Sequence, residues 1–177
     1  MDDEIYLMHY QAISLIEEGQ FEDVLQIQKG LRYNEIPPLI WIDKAYAHIL
    51  LKEYKQARYE IKIADELGAM DNDETRSYMA FVVSEFLTNV GESDQAEEIL
   101  TNFIDPQIVY RSYDLSIFNR VGFPDLLLPS LTLLNMNKYD RLIFEKLSGL
   151  YIQQGRYSES RWANEIADEL TESLENN

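Results

Sequence analysis

The sequence predicts an all-α fold: a solenoid of about five antiparallel helix pairs forming one domain over residues 1–177. Three observations carry the prediction. A short turn recurs along the chain, clearest where an aromatic follows it, as in Gly19-Gln20-Phe21, Lys52-Glu53-Tyr54 and Gly155-Arg156-Tyr157. Weaker versions are Gly91-Glu92-Ser93 and Gly122-Phe123-Pro124, and the five turn starts are spaced by 33, 39, 31 and 33 residues. Aligned on those turns, residues of similar size fall into columns three, four and seven positions apart, the spacing that lines one face of a helix. Finally, 7 Gly and 5 Pro leave no flexible linker, and a 46% hydrophobic content supports a packed core.

The columns justify the elements in order. Seven residues before each turn stand Ala12, Ala45, Ser84, Leu115 and Ser148, mostly small, where two helices touch closely. Four before stand Leu15, His48, Leu87, Phe118 and Tyr151. Five after come Val24, Ala57, Ala96, Leu127 and Ser160, and twelve after come Leu31, Ala64, Phe103, Leu134 and Ala167. Pro37-Pro38 ends the first unit and opens the second, in which Trp41 is a core residue. Asn72 and Asp73 supply a cap for the third, and Asp105-Pro106 for the fourth. The fourth unit, residues 106–137, is expected to deviate most, because Arg111 and Asp114 occupy apolar places and Pro129 breaks its second helix. In the fifth, Trp162 flanks the stripe Ala163, Ile166, Ala167, Leu170 and Leu174, and is expected to be partly exposed or to sit in an interface, for want of a further unit.

Composition narrows the function. No cysteine is present, which excludes disulfides, thiolate-held metals and a thiol nucleophile. The acidic start Met1-Asp2-Asp3-Glu4 is unlike a secretion signal, and no apolar run approaches a membrane span, so a cytoplasmic protein with no membrane partner is expected. The net charge of −17 is concentrated at the ends: −7 over residues 1–23, which hold no Lys or Arg, and −5 over residues 157–177. Such a field repels nucleic acid and attracts basic protein.

Catalytic and metal chemistry find no foothold. The two histidines, His9 and His48, lie in different repeats; His48 falls in a packed column and reads as a core imidazole. Adjacent carboxylates such as Glu17-Glu18 and Asp168-Glu169 diverge by about 100° on a helix and read as solvated face. No phosphate loop, zinc motif or nucleophile elbow occurs, so no enzyme activity, cofactor or metal is expected. Lys55, Arg58 and Lys62 form a small basic stripe that could hold an acidic segment, but reads first as an outer face balanced by Glu60.

Taken together, the turns and columns resemble the tetratricopeptide repeat (TPR) family, whose period is about 34 residues. The second unit carries the resemblance best, through Trp41, Ala45, Tyr54, Ala57, Ile61 and Ala64, and the fifth next, through Phe144, Leu147, Ser148, Tyr151, Gly155, Tyr157 and Ala167. The resemblance implies a right-handed superhelix whose first helices line a concave groove for a partner peptide or helix. Carried over unit by unit, the groove holds Tyr6, His9 and Ile13, then Leu39, Ile42, Tyr46 and Ile49, then Tyr78, Phe81, Glu85 and Asn89. Ser112, Ser116, Asn119 and Arg120 follow in the fourth unit, and Leu142, Glu145 and Ile152 in the fifth. The family's carboxylate clamp uses Lys, Arg and Asn; here its places hold His9, Ile13, Ile42 and Tyr46, so no clamp is formed. The expected function is a protein-binding adaptor or small chaperone, with Tyr46 and Tyr78 as its principal contacts. The rival expectation is an acidic inhibitor, an immunity protein or nucleic-acid mimic, that neutralises a basic partner.

Overall fold

The computed structural model describes residues 3–71, 73–103 and 139–175, and among these all regular structure is helical. The helices are α1 (Asp3–Glu17), α2 (Phe21–Val24), α3 (Pro38–Leu50), α4 (Tyr54–Glu66), α5 (Asp73–Asn89), α6 (Ser93–Phe103), α7 (Asp140–Gln153) and α8 (Tyr157–Glu175). They fall into two compact units, Met1–Glu92 and Ser93–Asn177. The fourth-repeat expectation, residues 106–137, and its groove positions lie outside the described residues.

The four predicted turns that fall within the described residues are copies of one device. In a Schellman ending, one residue in the left-handed region reverses the chain while two amides return to orphan carbonyls of the last helical turn. Gly19, Lys52, Gly91 and Gly155 all have φ between 63° and 89°. At each, this residue's amide donates to the carbonyl three residues back: Gly19 to Ile16 (3.0 Å), Lys52 to Ile49 (2.9 Å), Gly91 to Thr88 (3.2 Å) and Gly155 to Ile152 (3.0 Å). The following amide reaches five back, to Leu15, His48, Leu87 and Tyr151, each at 2.8 Å. Those four acceptors are one sequence column.

The small columns lie inside the pairs. Ala12, Ala45, Ser84 and Ser148 are all buried, as are Val24, Ala57, Ala96 and Ser160. In unit 2 the two columns meet directly: Ser148 Oγ and Ser160 Oγ are 2.9 Å apart across α7 and α8. In unit 1, α3 packs along α4, and also against α1 and α5. Pro37 precedes α3 and Pro38 occupies its first turn, where a missing amide costs nothing. Trp41 is core as expected, its Nε1–H donating to the Tyr33 carbonyl at 3.1 Å.

Two expectations need correction. The second helix of the first pair is a single turn: from Asp23 onward the amides of Gln26, Ile27 and Lys29 bond back three residues, and Gln28 and Gly30 adopt positive φ. That tightened segment turns Leu25 and Ile27, with Phe21, onto the cluster of Ala12, Val24 and Ala47. Leu31 therefore leaves its column and is 48% exposed. Trp162 is not partly exposed but 5% exposed, edge-on to Phe144 at 6.0 Å. The Phe144 ring on α7 packs against the indole, so Trp162 is not left as an open end face.

Candidate partner-binding site

The expected groove residues of unit 1 lie on three neighbouring helices: Tyr6, His9 and Ile13 on α1, Leu39, Ile42, Tyr46 and Ile49 on α3, and Tyr78, Phe81, Glu85 and Asn89 on α5. The structure brings many of them together, but as packing. His9 is fully buried, and its Nδ1–H donates to the Asp43 carboxylate, 2.9 Å from both oxygens. The His9 ring meets Tyr78 edge-on at 5.3 Å, Tyr78 stacks on Phe81 at 6.5 Å, and Phe81 meets Tyr46 edge-on at 5.5 Å. Leu39, Ile42, Ile49 and Tyr78 are buried with these rings and have no surface to offer a partner. A buried aspartate needs an ionic or hydrogen-bonding partner. Sequence reasoning passed over Asp43, although it interrupts the apolar run of α3 and lies 34 residues, one repeat, beyond His9.

What remains accessible is the rim. Between Leu39 and Ile49 every residue is buried except Tyr46. Burial and then the Glu85 charge push the Tyr46 phenol up to about 12, so it stays a neutral donor. Tyr6, Ile13 and Glu85 are half-buried and Asn89 is exposed, its side-chain amide donating to the Glu85 carbonyl at 2.9 Å. Phe81 lies beneath Tyr46 with only 9% of its surface exposed. In unit 2, Leu142 is half-buried while Glu145 and Ile152 are exposed.

The second histidine is also bound into the core. His48 Nδ1–H donates to Glu60 Oε2 at 2.6 Å, and Nε2 lies 3.4 Å from Glu53 Oε2. Burial alone would lower the imidazole pKa, but the hydrogen bond and charge of Glu60, with the charge of Glu53, outweigh it and raise the value. Lys44, on the same helix, lies 5.5 Å from the Trp41 ring, and burial lowers its pKa against the opposing pull of Glu60. In unit 2, Arg156 donates to Glu97 at 2.6 Å and to Glu159 at 3.2 Å, and lies 4.3 Å over the Tyr151 ring.

Among the described residues, no group of three or more His, Asp or Glu side chains could hold a metal ion. No helix among them is long and apolar enough to cross a membrane. The chain matches no protein-family model, no curated protein and no solved structure.

Proposed function

We propose that this chain is a protein–protein interaction module of stacked, tetratricopeptide-like helix pairs, acting as an adaptor or small chaperone. The observation that carries the reading is Tyr46: one side chain of the α3 run keeps accessible surface, and it sits above the Phe81 ring with Glu85 alongside. An aromatic on a rigid, water-poor floor contributes most at an interface, and a neighbouring carboxylate selects a cation. The partner is therefore a peptide or helix that sets an apolar residue on Tyr46 and a Lys or Arg toward Glu85. Tyr6, Ile13 and Asn89 belong to the same rim set. A photo-crosslinking side chain at position 46 or 85 should capture the partner, whereas one at Gln11, exposed on α1, should not. Capture from Gln11 alone would contradict the reading.

A second reading has its own observation. Glu17, Glu18, Glu22 and Asp23 are all exposed, in a stretch without Lys or Arg. This favours an acidic inhibitor that engages a basic partner by charge. Salt separates the two: rim binding changes little between about 0.05 and 0.5 M salt, and charge-led binding weakens steeply as the Debye length shrinks.

A further inference from the structure

The basic stripe on α4 takes a different meaning once its neighbours are placed. Residues 52–62 carry Lys52, Lys55, Arg58 and Lys62, four of the 15 cations of a chain with net charge −17. Two acids, Glu53 and Glu60, lie in the same stretch and would offset half of that charge if they faced the same way. They do not. Glu60 is buried and bonded to His48 at 2.6 Å, and Glu53 leans to the other nitrogen of the same imidazole at 3.4 Å. Ala57, Ile63 and Ala64 are buried as well.

Lys55, Arg58, Tyr59 and Lys62 all fall on the opposite, exposed face, within an arc of about 100° at 100° per residue. Tyr59 is 57% exposed. Arg58 is held in place, its guanidinium 5.3 Å over the Phe86 ring, so fixing it on a ligand costs less entropy than fixing a free side chain. Two exposed acids meet this face at the end of α4: Asp65, just beyond the azimuth of Arg58, and Glu66, 3.5 Å from Lys62 with both side chains mostly exposed; such surface pairs are weak and easily exchanged.

We infer that this face of α4 docks a short acidic segment of a partner protein. Lys55 and Lys62 are about 10 Å apart along the helix. Like-facing side chains of an extended segment repeat at about 7 Å, within reach of two long lysines, with Tyr59 between them to stack on an apolar residue. The rest of the molecule decides which acidic ligand is accepted. A field of −17 repels a polyanion that continues beyond the stripe, such as nucleic acid or an anionic membrane. A segment with two to four carboxylates and otherwise neutral chain escapes that repulsion, because screening confines its interaction to within about 8–10 Å.

The test is fluorescence anisotropy at low salt with two labelled 12-residue peptides, one with four Glu around a central Phe, the other with Gln in their place. The whole chain should bind the Glu peptide saturably and the Gln peptide at least about 10-fold more weakly. Combining Lys55→Glu, Arg58→Glu and Lys62→Glu should abolish binding, the matching Gln substitutions should weaken it at least about 10-fold, and Lys29→Glu, on an exposed residue elsewhere, should leave it unchanged. Circular dichroism checks folding, and the Gln set serves should the Glu set fail to fold. Absence of saturable binding, equal binding of the two peptides, full binding by the Gln variant, or tighter binding of a 12-nucleotide oligothymidine would each overturn the inference.

Discussion

At the scale of residues, Lys52 is the instructive exception. Three of the four described turns place Gly in the left-handed position, and this one places Lys, at φ 63°. A Cβ there crowds the following carbonyl and costs about 1–2 kcal/mol, partly offset by the greater freedom a glycine has in the unfolded chain. Lys52→Gly should therefore raise stability by about 0.5–1 kcal/mol, read as a higher urea midpoint at unchanged slope. His48 gives a second prediction. Its folded pKa is raised, so its pair with Glu60 and Glu53 contributes fully below the unfolded value of about 6.5 and is lost as pH rises through the folded value. Thermal melts should show His48→Gln losing most stability relative to the parent below about pH 6.5, with the gap narrowing above it. A gap that is constant from pH 5 to 9 would remove His48 from the pH response.

At the scale of elements, the legible part was what repeats. The four described turns fell where they were expected because a helix end needs a left-handed residue, and the aligned small residues among the described ones were buried because two helices cannot approach closely without them. The short α2 was not legible: Val24, Leu25 and Ile27 look like a continuing apolar face, and the tightening after Asp23 arises from contacts with α1, including Gln28 Nε2–H to Met8 Sδ at 3.0 Å. The His9–Asp43 pair was hidden for a similar reason, since a charge on an inward face declares its partner only when the two helices are placed. The serine pair offers a direct test of the column contact. Ser148→Ala should cost about 1–3 kcal/mol by leaving Ser160 short of a buried partner, and adding Ser160→Ala should restore most of it. Additive losses in the double-mutant cycle would mean that the two hydroxyls do not act on one another.

At the scale of the whole molecule, helical class was legible throughout the described residues, while the candidate site was legible only in part. The TPR-like alignment picked out the three helices that meet in unit 1, yet helical periodicity cannot tell a side chain facing a groove from one facing the next helix. Tyr46 and Tyr78 looked equivalent in sequence; one keeps surface, and the other is 1% exposed beneath His9 and Phe81. Their roles should now separate. The most direct measurement is calorimetric affinity for the partner captured at position 46, with Tyr46→Ala and Tyr78→Ala compared at matched fractions folded. Tyr46→Ala should bind about 30-fold more weakly, about 2 kcal/mol, with little change in melting temperature. Tyr78→Ala should lose about 3–5 kcal/mol of stability, while its folded fraction binds as the parent does. Unchanged affinity for Tyr46→Ala in a folded protein would contradict the account.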